Sequence, residues 1–290
     1  MNNVFNDNSL SGQYCNLDDF LEDLYEKILP MLKYARELKQ EILKSYCTYS
    51  QMVTPSLSLS DILNSNRSAE ITAIKSYLVD LSYQEPYWND DIKTEISSRY
   101  NCTYNSEVPN CFTEAFERKG CLISFGQDCF YTEKLNIIKN GIVYDIPNSF
   151  DRNSYLKNLF LLGIIDENYY LENINIPINI KFCTVNNRRY TQECFEQNNL
   201  SRDDRIKVVE KILKLMSHIV NRTDPGLLCK SFDNGIWEFR NGVSDDRIIR
   251  IFYIYYSSGI VLLNGFIKKS QGTPEKELAL ARDLAKICQR

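Results

Sequence analysis

The side chains of this 290-residue chain best suited to hold an anion, Arg240, Arg250, Lys268 and Lys269, fall late in the sequence, with the acid Glu238 beside them. An arginine fork can grip two oxygens of one phosphate, and a lysine adds a compact point charge whose pKa falls when other cations crowd it. Glu238 is a candidate proton acceptor, but on an extended strand it shares a face with Ile236 and Arg240, so an ordinary ion pair is the competing reading. Other chemistry is poorly provided for. Ten cysteines are scattered from Cys15 to Cys288 without the close Cys-x2-Cys pairs of structural zinc, and His218 is the single histidine. Free thiols are expected, with no metal and no cofactor, and His218 reads as a capping or packing residue.

The elements that must position these residues are legible around them. Ile236-Trp237-Glu238-Phe239-Arg240, Ile248 to Tyr256 and Ile260 to Phe266 are β-type runs, separated by Asn241-Gly242 and by Ser257-Ser258-Gly259. Alternation puts Phe252 and Ile254 on the face of Arg250, and Ile251, Tyr253 and Tyr255 on the other, where Tyr253 reads as core. Upstream, Ile178, Ile180 and Phe182 share one face of a further strand. A helix begins at Asp203 and Asp204 and buries Ile206, Val209, Ile212, Leu213, Met216 and Ile219. A last helix starts at Pro274 with Thr273 as its N-cap.

The first half has another texture. Residues 1–14, rich in Asn, Ser and Asp, are expected to be disordered. Helical spacing runs from Leu17 through Leu32 and on to Leu38, Ile42 and Leu43, returns over Ile62 to Leu81, and is expected once more from Asn89 or Asp90. Leu122 to Phe125 reads as a strand, Leu135 to Tyr144 as a hairpin turning at Asn140-Gly141, and Ser154 to Leu162 as a helix. No catalytic motif appears there. No stretch approaches the roughly 18–20 apolar residues that span a bilayer, and Asn2, Asn3, Asp7 and Asn8 stand where a signal peptide needs basic and apolar residues. A cytoplasmic protein with no membrane partner is expected.

Charge divides the same way. Residues 176–290 hold 19 Lys/Arg and 13 Asp/Glu, net +6, and residues 1–175 hold 15 and 25, net −10. A basic C-terminal domain that meets phosphate, and an acidic N-terminal one that does not or that shields it, fit this split. The expected organisation is a disordered tail at 1–14, a mostly helical domain at 15–175 acting as sensor, recruiter or inhibitor, and a third segment at 176–290.

The run Gly235-Ile-Trp-Glu-Phe-Arg240, the strand Arg247 to Tyr256, and Gly259 to Arg282 with its Leu-Leu-Asn-Gly-Phe-Ile-Lys-Lys and Thr-Pro-Glu-Lys-Glu segments resemble the signature of RelE/ParE superfamily toxins, in their HigB-like phage-derived group. The resemblance covers 176–290 and is densest over 235–282. It implies a RelE-like domain, a small twisted, mostly antiparallel sheet packed with helices; with the mainly helical N-terminal domain and its small sheet read from the spacing above, the expected fold class is α+β. It also implies messenger RNA as substrate, the ribosome as a site of action, and a helix-turn-helix antitoxin as partner.

Cleavage in such toxins uses the RNA's own 2′-hydroxyl against the neighbouring phosphate, without metal, and needs cationic donors around a phosphorane whose charge grows in the transition state. The resemblance assigns Arg240 and Arg250 to stabilising that charge, Lys268 to phosphate binding or proton transfer and Glu238 to a base, with Lys269, Arg247 and Lys276 as RNA-binding residues. Two departures stand out: Asn264 occupies a position where many members have histidine, and no tyrosine follows Tyr256. They favour an alternative, a non-catalytic RelE-like module that engages an antitoxin-like protein or RNA. The gyrase-poisoning ParE branch is disfavoured by the Lys-Lys-x-x-x-Thr-Pro strand end.

Overall fold

In a computed structural model of the chain, the residues described are 2–10, 14–43, 48–65, 71–72, 75–76, 102–103, 110–125, 128–256, 258–268 and 274–289. The chain divides into two compact units, Met1–Ile164 and Ile165–Arg290. With the division there, eleven residues earlier than the sequence suggests, unit 2 carries 19 Lys/Arg against 16 Asp/Glu, net +3, and unit 1 carries 15 against 22, net −7. The acids of Asp166, Glu167 and Glu172 account for the change. No helix among the described residues is long and apolar enough to cross a membrane.

Unit 1 is α+β. Its elements are β1 (Asn2–Phe5), α1 (Leu17–Asp23), α2 (Leu29–Glu37), β2 (Glu41–Leu43), α3 (Leu59–Ser65), β3 (Cys102–Thr103), α4 (Asn110–Glu117), β4 (Leu122–Ile123), β5 (Lys134–Lys139), β6 (Ile142–Ser149) and α5 (Arg152–Leu161). The sheet order is β2-β1-β4-β6-β5-β3; β1 runs parallel to β2 and β4, β4 runs parallel to β6, and β5–β6 is the hairpin expected at Asn140-Gly141. Asn140 and Gly141 both take positive φ, as a tight hairpin turn requires.

Three expectations for this unit change. Residues 2–10 are ordered rather than a disordered tail, because Val4, Phe5 and Leu10 are buried and the polar residues between them find partners. Asn6 Nδ2 donates to Ser124 Oγ at 2.8 Å, Asn3 Nδ2 donates to Tyr155 Oη at 3.2 Å, and the Phe125 N–H donates to Ser9 Oγ at 2.9 Å. The first helical run stops at Glu37, and Glu41–Leu43 pairs with β1 as a strand. The sheet is also larger than expected, because β1, β2 and β3, each only two to four residues long, join the expected strand β4 and hairpin β5–β6. The helix expected from Asn89 or Asp90, and the stretches 66–70, 73–74 and 77–81 of the second helical run, lie outside the described residues.

Unit 2 runs α6 (Glu167–Asn173), β7 (Asn179–Phe182), α7 (Tyr190–Gln197), α8 (Arg202–Val220), β8 (Cys229–Ser231), β9 (Ile236–Val243), β10 (Arg247–Tyr256), β11 (Gly259–Lys268) and α9 (Glu275–Cys288). The sheet order is β7-β11-β10-β9-β8, antiparallel except for the β7–β11 pair. Gly259 is required where β7 and β11 meet, because a Cβ there would lie 1.9 Å from the Asn179 carbonyl oxygen. Helices α7 and α8 pack on one face of the sheet and α9 on the other. On the α9 side Ile236, Phe252, Ile254, Val261, Leu263 and Phe266 enclose Leu278, Ala281, Leu284 and Ala285 of the helix. Asn241-Gly242 is not the turn: both residues stay in β9, opposite Ile249 and Ile248, and the chain reverses at Ser244 to Asp246. Thr273 lies outside the described residues, and the N-cap of α9 is Pro274.

Candidate nucleic-acid interface on the C-terminal sheet

Register decides which charged residues meet. Arg240 on β9 is directly opposite Arg250 on β10, and Arg250 is opposite Phe266 on β11. Two residues along, Gly242, Ile248 and Lys268 form the next row of the same face. Glu238 lies one row toward the α9-covered core, opposite Phe252. Along this face, polar residues therefore take over where the apolar packing under α9 ends.

Glu238 is fully buried, and its carboxylate is shared by two guanidiniums. Arg240 Nε donates to Oε1 at 2.5 Å, and Arg250 Nη1 reaches Oε1 at 3.1 Å and Oε2 at 3.2 Å. Taking a carboxylate out of water costs several kcal/mol, on the order of the loss that two well-placed guanidiniums can offset. The accessibilities differ: the Arg240 side chain is 31% exposed and that of Arg250 is 7% exposed. Arg240 thus offers the outer donors, and Arg250 fixes the inner edge of the cluster; among the described residues, Glu238, Arg240 and Arg250 together carry one positive charge in excess, and half-buried Lys268 lies one row along the same face.

The other expected residues are placed differently. Arg247 is three residues from Arg250 and on the opposite face; its Nε donates to the Ser244 carbonyl at 3.1 Å, and its Nη1 donates to the Asn198 carbonyl at 3.0 Å. Its donors hold the β9–β10 turn. Lys276 is exposed in the first turn of α9, and Lys269 lies outside the described residues. Tyr253 is buried on the α7–α8 face, where burial pushes its phenol pKa up. His218 closes the end of α8, its Nδ1 2.8 Å from Thr223 Oγ1.

Two positions matter here that the sequence gives little sign of. Asp204 reads as a first-turn acid of α8, yet it is buried and accepts hydrogen bonds from the backbone N–H of Ser244 (2.9 Å) and from the Ser244 hydroxyl. Only the acid-rich helix start hints at it. Asn264 is buried on β11, and its Nδ2 donates to the Glu277 carbonyl (3.2 Å) and to Glu277 Oε2 (3.3 Å), which ties the sheet to the first turn of α9.

This arrangement can bind a phosphate and supply fixed positive charge to it; it presents no imidazole beside the arginine pair. A search among curated proteins finds no match to the chain. Residues 196–286, which include β8 to β11, α8 and nearly all of α9, match the family model described as phage derived protein Gp49-like (DUF891). The C-terminal unit therefore carries a Gp49-like phage-derived domain, of the RelE/HigB-like toxin superfamily, over residues 196–286.

Proposed function

We propose that the chain is a toxin-type RNA endonuclease of a toxin–antitoxin or anti-phage system, acting on messenger RNA at the ribosome and cutting by attack of the substrate's own 2′-hydroxyl. The observation that carries this reading is the Arg240–Glu238–Arg250 cluster: two guanidiniums at facing register positions, preset by one buried carboxylate, at the edge of a sheet face. Fixed donors of this kind stabilise a phosphorane without having to reorganise as its charge grows. Arg240, the more exposed, meets the non-bridging oxygens; Arg250 braces it; Lys268 neutralises the adjacent phosphate. Glu238 already serves two cations and holds them in place, so we assign it to positioning rather than to proton abstraction. Lys269 and Lys276 extend the RNA contact, while Arg247, on the opposite face, is left to hold the β9–β10 turn; a helix-turn-helix antitoxin is the partner that would restrain the toxin.

The experiment is cleavage of a defined transcript by purified protein, alone and with ribosomes. Activity should survive EDTA, leave 2′,3′-cyclic phosphate ends, and fall by about 10²-fold in Arg240→Ala, the loss typical of one preorganised donor. Abolition by EDTA with rescue by magnesium would replace this chemistry with metal-assisted hydrolysis.

One observation favours a second reading, a binding module without catalysis. Asn264 stands where a proton-transferring histidine is common in the resembling family, and its amide is engaged by Glu277. An RNA that binds tightly and is never cut, with or without ribosomes, would select that alternative.

A further inference from the structure

We propose that Cys183 and Cys288 form a reversible thiol–disulfide site that fastens the C-terminal helix α9 to the sheet of unit 2. The two sulfurs are in contact, Sγ to Sγ 2.8 Å, although the residues are 105 apart in sequence. Each is held from its own side. Cys183 directly follows β7, and its N–H donates to the Leu262 carbonyl at 2.8 Å, which fixes its backbone against β11. It is 3% exposed and belongs to the same apolar cluster as Leu284 and Ala285 of α9. Cys288 is the last residue of α9 and packs half-buried on that cluster, with one side open to solvent.

Accessibility sets the order of events. A small peroxide reaches Cys288 first; its sulfur takes one peroxide oxygen, water leaves, and a sulfenic acid remains. Cys183 then attacks the Cys288 sulfur from below, the S–S bond forms, and the displaced hydroxyl leaves as water with the Cys183 proton. Two thiols and one hydrogen peroxide give one disulfide and two waters, and a dithiol reverses the bond by exchange. Burial, reinforced by the neighbouring Cys288, pushes the Cys183 thiol pKa up to about 12 and keeps it from meeting the oxidant as a thiolate; its contact with the Cys288 sulfur, not its acidity, makes it the resolving partner. Closing so long a loop removes much of the freedom of the unfolded chain, so the bond should be felt mainly as stability.

The inference does not depend on the RNA-cleaving reading. In the test, the full chain is treated with hydrogen peroxide, alkylated and digested without reductant. A linked peptide pair containing Cys183 and Cys288, lost on treatment with dithiothreitol, is the expected result. The unfolding midpoint of unit 2 should rise on oxidation by on the order of 10 °C, and the rise should vanish in Cys288→Ser, a change at a half-exposed helix end. The peptide map of the unsubstituted chain decides the matter even where a variant folds poorly. Cys183 and Cys288 recovered separately, each alkylated or further oxidised, while exposed Cys15 and Cys129 have reacted, would overturn the proposal, as would an equal rise in Cys288→Ser.

Discussion

Asp204 and Ser244, forty residues apart, are joined by two hydrogen bonds that fasten the first turn of α8 to the β9–β10 reversal. That reversal sets the offset of β9 against β10, and so the facing of Arg240 and Arg250. Burial works against the Asp204 charge, but hydrogen bonds from Ser244 and from Ser201 outweigh it and hold its pKa below the ordinary aspartate value.

The sign of the pH effect follows from that shift. A carboxyl whose pKa is lower in the folded state adds stability that is present above its unfolded pKa, near 3.8, and lost as pH falls through the folded one. Unit 2 should therefore lose stability below about pH 4, and Asp204→Asn should flatten that part of the curve. Asp204→Ala should also cost about 1–3 kcal/mol at neutral pH, since it leaves the Ser244 N–H without its acceptor. Thermal melts of both variants from pH 3 to pH 7 check this; identical acid limbs for wild type and Asp204→Asn would count against it.

Glu238→Gln removes the counter-charge from two facing guanidiniums, and losing one partner of a buried ion pair costs about 3–5 kcal/mol. The expected result is a strongly lowered urea midpoint and, at temperatures where the variant is still folded, RNA cleavage reduced at least about tenfold through misplaced donors. Arg240→Lys should keep more stability than Glu238→Gln but lose activity, because a lysine cannot reproduce the fork. A Glu238→Gln protein with unchanged melting would show that the cluster contributes little to the fold.

Net charges of −7 on unit 1 and +3 on unit 2 lead to a third expectation, that unit 1 tempers RNA binding by unit 2. Residues 165–290 should bind RNA more tightly than the full chain in titrations at low ionic strength. Purely long-range repulsion fades as the Debye length shrinks to about 8 Å at physiological salt, whereas steric shielding persists. A difference that survives moderate salt supports an inhibitory role; matching affinities there leave unit 1 as a sensor or recruiter.

Legibility in the sequence tracked the range of the interactions. Strands β9 to β11 could be read because each is a long β-rich run, although the Asn241-Gly242 signal falls inside β9 rather than at its end, and the shared face of Glu238 and Arg240 followed from the two-residue period of a strand. Depth could not be read. Alternation names a face without saying that Glu238 lies where α9 ends and so is fully buried. The short parallel strands β1 and β2 depend on partners far along the chain and no local pattern marks them, whereas β4 was legible as the apolar run from Leu122. Asn3, Asn6 and Ser9 suggested disorder by composition, while their side chains are committed to Tyr155, Ser124 and the Phe125 backbone. The same holds for Cys183 and Cys288, which only the fold brings together.

The pairing of β7 with β11 also bears on how the domain can be handled. β7, at Asn179–Phe182, precedes the matched segment that begins at residue 196, yet it occupies the outer side of β11. A fragment cut to 196–286 would bare the part of β11 that β7 covers, Gly259 to Leu262, whose unpaired amides and carbonyls invite another chain to add on. Such a fragment should self-associate through that edge. Ending the fragment upstream of Asn179 keeps the edge covered, so the physical boundary of the domain is set by a four-residue strand rather than by where recognisable sequence begins.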